Sequence, residues 1–365
     1  MNKKLWITIG LIILTVIAIL VYSGKREIMD SRPVVKIGVI LPLTGNNQEV
    51  GNNVKNVIQL YVKENQKNYK IRYDIIIEDD AFRTANVATL AHKLVNVDRV
   101  DGLVTILAYA GIVASTVTDK AGVPHINIAS AIEAADGKYS FVNYTPLPAI
   151  QERFSELFKR KGIKKLAIIN MDHVGPMLYN KHLKDAISEN KISYEEHFFK
   201  PEERDFRMLI QKIKENKPDI IIVMALPPSL DVLGKQIKEL GIDIELTSVA
   251  FFSMSNNKEL FEGFIYVDGP DGSPEFIKKI NRELKTDNLY LLAFAHDTIK
   301  IYMDSIDSFY IENDRLPTRE EIAEMLRNLK DFKGEGGVYS MGKDGSTQSE
   351  AIFKKIINGR PEIVK

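Results

Sequence analysis

The sequence predicts an α/β protein of two lobes, each built around a parallel sheet with helices on both faces. Short β-rich apolar runs alternate with segments whose apolar residues recur at helical spacing, first over residues 34–145 and again after residue 146. The second series starts at Pro146 and Pro148, and no Gly/Ser-rich or low-complexity linker interrupts the chain. Such alternation is typical of parallel sheets, because a parallel connection needs a crossover that is usually a helix.

The first series predicts strands that alternate with helices. Its predicted strands lie at residues 35–41, 71–78, 102–106 and 125–128. Between the first two strands, Val54, Val57, Ile58 and Tyr61 fall at helical spacing. Further helices are predicted at residues 84–97 and 111–121.

The second series repeats this order and predicts a second α/β lobe. Its predicted strands lie at residues 165–170, 192–199, 219–224 and 245–248. Leu230, Leu233, Ile237 and Leu240 form an apolar stripe on one of the intervening helices.

The C-terminal part predicts helices followed by hairpins. Helices are predicted at residues 273–286, 290–311 and 318–329, the last opened by a capping box of Thr318 and Glu321. Strands at 338–340 and 351–357 flank a turn at 342–345, and Asn358-Gly359 predicts another hairpin turn.

Residues 1–33 are predicted to be a membrane anchor or a signal segment. Residues 5–22 carry no charge, and as a helix they would extend about 27 Å at ~1.5 Å per residue, near the lower limit for crossing a membrane. Ser23 suits a signal peptidase site, but the apolar run is longer than an ordinary signal peptide has. We therefore favour an uncleaved N-terminal hydrophobic helix over a cleaved signal peptide.

The composition excludes several function classes. The chain has 365 residues, of which 45% are hydrophobic, so it can bury a sizeable core. Lys plus Arg and Asp plus Glu both number 49, so no positive field exists to hold nucleic acid. The lack of cysteine excludes disulfides, thiolate metal sites and the lipid-attachment cysteine of a bacterial lipoprotein.

A ligand site is predicted at the carboxyl ends of the first-lobe strands. In open α/β sheets these ends, and the helix N-termini that follow them, surround the binding crevice. Tyr109, Ala110 and Gly111 follow the strand at 102–106. Ser130 and Ala131 follow the strand at 125–128.

Several segments, in order, resemble the type I periplasmic-binding-protein family, and its branched-chain amino acid-binding branch in particular. They include VKIGVILPLTG at 35–45, GLVTILAYAGIVASTVTDKAGVPHINIASA at 102–131, KKLAIINMDHVG at 164–175, YLLAFAHDTIKI at 290–301 and GEGGVYSMGKDGSTQSEAIFKKIINGRP at 334–361. The resemblance implies two Rossmann-like lobes joined by three crossovers, with the ligand between them. It places lobe one at 34–145 and 268–333, and lobe two at 146–267 and 334–365.

The resemblance also implies the ligand-binding residues. In lobe one, the resemblance implies that Val50 lines the cleft wall. It also implies that the loops at residues 109–111 and 130–131 bind the ligand's carboxylate and ammonium groups. The residues that it assigns to the cleft from lobe two are His173, Val174, Leu226, Pro227, Phe251 and Phe252.

This sequence departs from the family pattern where an ammonium group should find its acid. Ala250, Phe251 and Phe252 stand where that acidic residue is expected, and a buried ammonium without a carboxylate is costly. The ligand is therefore expected to differ from an ordinary branched-chain amino acid, unless Asp172 supplies the acid.

Other polar groupings are given structural roles. Glu78, Asp79 and Asp80 could bind a hard cation, but a solvated turn with Asp80 capping the next helix is the favoured interpretation. Asp172-His173 and His296-Asp297 have no nucleophile motif to complete a hydrolase site. We predict no catalytic residue, no metal site and no cofactor.

The predicted function is that of an extracytoplasmic solute-binding protein of an ABC importer, acting as a monomer and not as an enzyme. It would bind an amino acid or a similar small solute by hinge closure and deliver it to a membrane permease. A ligand-sensing receptor ectodomain coupled to a signalling partner is the alternative, because the same lobes and anchor would serve it equally well.

Overall fold

The computed structural model describes residues 30–364 of the chain. The hydrophobic helix predicted near the N-terminus lies outside the described residues. Within residues 30–364, none of the helices has the length and apolarity needed to cross a membrane.

Strands and helices alternate along residues 34–254, as predicted, and three consecutive helices follow at residues 274–327. The strands in chain order are β1 (Val34–Leu41), β2 (Arg72–Asp79), β3 (Gly102–Ile106), β4 (His125–Ile128), β5 (Ser140–Val142), β6 (Lys165–Met171), β7 (Ser193–Phe199), β8 (Ile220–Met224), β9 (Glu245–Thr247), β10 (Ile265–Asp268), β11 (Phe332–Gly334), β12 (Gly337–Tyr339), β13 (Ile352–Ile357) and β14 (Arg360–Val364). The α-helices in chain order are α1 (Gln48–Asn65), α2 (Thr84–His92), α3 (Ala108–Ala121), α4 (Leu147–Lys161), α5 (Val174–Glu189), α6 (Arg207–Asn216), α7 (Ser229–Glu239), α8 (Phe251–Met254), α9 (Pro274–Leu284), α10 (Leu292–Asn313) and α11 (Arg319–Arg327).

Two separate parallel sheets form the core, which confirms the predicted α/β architecture. The first sheet has the strand order β2-β1-β3-β4-β5, and the second has β7-β6-β8-β9. Every residue of β3 and of β8 is buried, because helices cover both faces of these sheets. In each sheet the strand order reverses beside the first strand, β1 or β6, which is where α/β sheets open a crevice.

The C-terminal strands pair differently from the prediction. The turn at residues 342–345 does not join β12 to β13; β12 pairs with β11, and β13 pairs with β10 and β14. The chain between them extends the first sheet, because Val142 N donates to Gly345 O and Thr347 N donates to Val142 O. The hairpin at Asn358-Gly359 is confirmed, and both residues have the positive φ that its turn requires.

Three connections run between the first sheet and the elements around the second. They lie between β5 and α4, between β10 and α9, and between Thr347 and β13. Strands β5 and β10, which the sequence analysis did not predict, end at the first two connections.

Candidate functional site

An apolar cavity lies between the carboxyl ends of the two parallel sheets. It has a cavity volume of about 40 Å³. Its walls come from the loops after β2, β3 and β4 on one side and from α5, α8 and the loop after β8 on the other. The residues that line it are Phe82, Leu107, Ala108, Tyr109, Ala129, Ser130, Ala131, Leu147, His173, Gly175, Leu178, Tyr179, Leu226, Phe251, Met254 and Tyr290.

Half of the predicted ligand-binding residues line this cavity. They are Tyr109, Ser130, Ala131, His173, Leu226 and Phe251. Residues from both sequence series therefore face one shared space, although they are as much as 142 positions apart in the chain (251 minus 109).

Two further predicted residues, Val50 and Pro227, line a neighbouring pocket of about 350 Å³. We call it the amide pocket, because Asn46, Asn47, Gln48, Asn256 and Asn288 also line it. Met254 belongs to both linings, so the amide pocket adjoins the apolar cavity.

The remaining four predicted residues line neither space. Ala110 is fully buried, and Gly111 faces β4, where the side chain of Asn127 lies against it. Val174 is 40% exposed, and Phe252 stacks on Phe261 with ring centroids 4.2 Å apart. Neighbouring residues on a helix point about 100° apart, so consecutive positions cannot all face one cavity.

Tyr109 connects the cavity to a buried acid. Its hydroxyl donates to Asp80 Oδ2 at 2.8 Å, and Phe82 N donates to Asp80 Oδ1 at 2.7 Å. Burial raises the pKa of Asp80, and burial followed by the Asp80 charge raises that of Tyr109. The prediction that Asp80 is solvated and caps the next helix is wrong, since Asp80 is fully buried and the N-cap of α2 is Arg83.

Phe82 is a cavity residue that the sequence analysis missed. Its ring stacks on His173 with centroids 5.4 Å apart, and it meets Tyr109 edge-on at 5.0 Å. Phe82 has a φ of 57°, so a left-handed turn after β2 directs it toward the second sheet. Nothing in a single sequence indicates a positive φ at a phenylalanine.

Ser130 lies in a hydrogen-bonded chain that crosses the cavity. Its hydroxyl donates to Thr145 O at 2.6 Å and accepts from the Tyr179 hydroxyl at 3.0 Å. Tyr179 in turn packs edge-on against Phe251, with centroids 5.5 Å apart. Tyr179 was not predicted; it lies four residues, or about one helical turn, beyond Gly175, which also lines the cavity.

His173 is an uncharged cavity residue. Burial lowers its pKa more than the nearby Asp172 raises it, so the imidazole is neutral at pH 7. Asp172 itself is exposed and does not line the cavity. It therefore does not supply the acid that the sequence analysis considered.

A buried ionic network lies beside the cavity, around Asp268. Asp268 Oδ1 accepts from the Tyr144 hydroxyl at 2.5 Å, and Oδ2 accepts from Ser253 Oγ at 2.7 Å and Lys354 Nζ at 3.0 Å. Lys354 Nζ also donates to Asp271 at 2.6 Å. Burial by itself lowers the pKa of Lys354, but the two carboxylates outweigh it and the net shift is upward.

Comparison with known proteins agrees with this arrangement. A family model described as "Periplasmic binding protein" matches residues 34–360. No curated protein matches the chain.

Several solved structures share the fold. A leucine binding protein from Thermotoga maritima matches with a TM-score of 0.82 at 18% identity, over 91% of this chain and 98% of that one. A branched-chain amino acid transporter substrate binding protein from Streptococcus pneumoniae, in complex with isoleucine, has a TM-score of 0.78 at 19% identity, over 91% and 99%. An ABC transporter solute binding protein from Rhodopseudomonas palustris, in complex with benzoate, matches with a TM-score of 0.78 at 14% identity. The match covers 91% of this chain and 95% of that one.

Proposed function

Because the chain belongs to the periplasmic binding protein family, we propose that it is a solute receptor that works outside the cytoplasm and serves an ABC importer. The observation that carries this is the cavity itself, which two separate parallel sheets line with their strand ends. The similar proteins named above are described as binding leucine, isoleucine and benzoate, so a small organic solute is the proposed ligand class. No feature within residues 30–364 favours the sensing alternative.

The proposed mechanism is hinge closure. The solute first meets the lobe-one loops at Tyr109 and Ser130, and lobe two then covers it with His173 and Phe251. The Ser130–Tyr179 hydrogen bond and the Phe82–His173 stack join the lobes directly. These contacts are made only when the lobes are closed, and a solute shifts the equilibrium by its preference for that state.

We propose a revised lobe division from the contacts of the C-terminal segment. Residues 334–347 are assigned to lobe one, because Glu335 N and Gly336 N donate to Asp297 on α10 and Gly345 pairs with β5. Lobe two then comprises residues 146–267 and 348–365. We also propose that the receptor is a monomer, that its N-terminal segment attaches it to the membrane, and that its partner is a membrane permease.

The proposed function predicts that one class of small solute stabilises and compacts the protein. The test is a thermal-melting screen of the full-length chain against amino acids, amides, short peptides and organic acids. A ligand at 100 times its Kd adds about 2.7 kcal/mol to the free energy of unfolding, which a melting curve resolves. Small-angle scattering should show a smaller radius of gyration with the same ligand.

Ser130→Phe should abolish that stabilisation, because the bulky ring fills the cavity beside Tyr179. Ser193→Phe is the matched control, since Ser193 is exposed on β7 and lies away from the cavity. If no solute stabilises the chain, or if Ser130→Phe leaves the response intact, the proposed function or its site is wrong.

A further inference from the structure

The apolar cavity has no counter-charge for a cationic ligand. Among the described residues that line it, none is Asp, Glu, Lys or Arg. The one imidazole, His173, is neutral at pH 7 for the reason given above. A solute enclosed here meets aromatic rings, aliphatic side chains and a few hydroxyl and backbone groups.

The nearest buried carboxylates are already occupied by other partners. Asp80 lies behind Tyr109, which donates to it, and Phe82 N donates to its other oxygen. Asp268 accepts from Tyr144, Gly269 N, Ser253 and Lys354. Glu49 belongs to the amide pocket, where it is exposed and accepts from Asn288. An ammonium group in the apolar cavity would therefore be buried without a partner, which is strongly unfavourable.

The cavity does offer hydrogen-bond donors. Tyr290 is only 6% exposed and lines the cavity, yet its hydroxyl makes no hydrogen bond to any of residues 30–364. A hydroxyl that bonds to no protein group is free to donate to an acceptor on a ligand. The N-terminus of α3 adds to this, because Ala108 and Tyr109 line the same cavity and the first N–H groups of a helix lack intrahelical acceptors. These backbone groups also carry a partial positive charge, which favours an anionic or carbonyl oxygen.

Resting on the solute-binding function proposed above, we propose that the ligand is an amine-free molecule with a compact apolar body and one acceptor end. The acceptor end is a carboxylate or a carbonyl, and it bonds with the Tyr290 hydroxyl and the N-terminus of α3. The body packs against Phe82, Leu226, Phe251 and Met254. Zwitterionic α-amino acids are excluded, because their ammonium group has no partner in the cavity.

Matched pairs of ligands that differ only in the amine test this inference on the full-length chain. The pairs are leucine with 4-methylpentanoate and phenylalanine with 3-phenylpropanoate, titrated by calorimetry at pH 7. We expect the amine-free member of at least one pair to bind at least tenfold more tightly than its amino acid. An amino acid that binds equally or better overturns the inference while leaving the proposed function intact.

The other outcomes of the calorimetric titration distinguish a wrong ligand class from a wrong function. If neither pair binds, the proposed ligand class is wrong, and the broader solute screen described above still decides whether the chain is a receptor. A positively charged solute emerging from that screen would also overturn the inference.

Tyr290→Phe tests the donor directly, because it removes the hydroxyl and keeps the ring. We expect at least fivefold weaker binding of the preferred acid and an unchanged melting temperature of the free protein, since that hydroxyl has no protein partner to lose. Tyr61→Phe is the matched control: its hydroxyl bonds with the Tyr69 hydroxyl, away from the cavity, so affinity should not change. Equal affinity in Tyr290→Phe would show that the hydroxyl does not hold the ligand.

Discussion

At the scale of single residues, the cavity is organised by polar side chains that are buried together with their partners. Tyr109 shows this, because its hydroxyl donates to the buried Asp80 while its ring meets Phe82 and His173. Tyr109 was predicted to line the site because it follows a strand, whereas its acidic partner Asp80 was predicted to be solvated. Partners of this kind are distant in sequence, so no local pattern reveals them.

His125 illustrates how burial determines the charge of a residue, and it leads to a prediction about pH. It is fully buried on β4, with Nε2 2.7 Å from Thr105 Oγ1, and burial lowers its pKa from 6.5 to about 3. The unfolded chain therefore binds a proton between about pH 6.5 and 3 that the folded chain does not bind. Stability must fall as the pH falls through this range.

His125→Gln should reduce this acid destabilisation. Between pH 7 and pH 4.5 the wild type should lose about 2 kcal/mol more of its free energy of unfolding than the variant, because each pKa unit is worth about 1.4 kcal/mol. Urea titrations at the two pH values measure the difference. Parallel losses in both proteins would mean that His125 becomes protonated within the folded state.

At the scale of elements, the position of α3 depends on how closely it approaches β4. A Cβ atom on Gly111 would lie 2.1 Å from Asn127 Nδ2 and 2.2 Å from Asn127 Cγ, so only glycine fits this contact. The first turn of α3 carries Tyr109 and Ala108 into the cavity. Gly111 was predicted to bind ligand; the structure places it behind the site, against the sheet.

Gly111→Ala should destabilise the protein by about 1–3 kcal/mol, because the added methyl group forces the helix away from the sheet. Helix propensity alone would predict the opposite sign, because alanine stabilises a helix by about 1 kcal/mol relative to glycine. Gly175→Ala is the matched control: it lies in the first turn of α5, and nothing stands within 4 Å of an added Cβ there. Chemical denaturation of both variants should give opposite signs, and two neutral or stabilising results would contradict the proposed contact.

At the scale of the whole molecule, buried polar contacts join the three connections between the lobes. Lys354 and Asp268 are each 1% exposed, and together with Tyr144 they bring all three connections to one point. A second contact joins the first and third connections, since Thr145 Oγ1 donates to Glu350 O. The connections between the proposed lobes are thus held together by a buried ionic cluster.

Lys354→Met should destabilise the chain by about 3–5 kcal/mol, because two buried carboxylates lose their counter-charge. Lys355→Met is the matched control on the same strand, since Lys355 makes no ion pair with the described residues and is only partly buried. Denaturation curves at pH 7 compare the two variants. A loss below about 1 kcal/mol in Lys354→Met would show that the carboxylates do not depend on the lysine.

Local patterns in the sequence were enough to predict the α/β character of the protein and most of its elements. The apolar runs of β3 and β8, the capping box at Thr318 and the turn at Asn358-Gly359 are local signals, and each formed as predicted. Six of the predicted site residues line the apolar cavity. Tyr109, Ser130 and Ala131 were predicted because the strand ends of a parallel sheet meet at one edge, and the other three were implied by the family resemblance.

Local patterns did not predict which side chains face the cavity or how the C-terminal strands pair. Phe252 turned inward onto Phe261 while its neighbour Phe251 faces the site, and Asp80 became a buried partner of Tyr109. Strand β12 paired with β11 instead of β13. The physical reason is that helix rotation, burial and strand partners depend on contacts between distant segments, whereas propensity and periodicity report only neighbours along the chain.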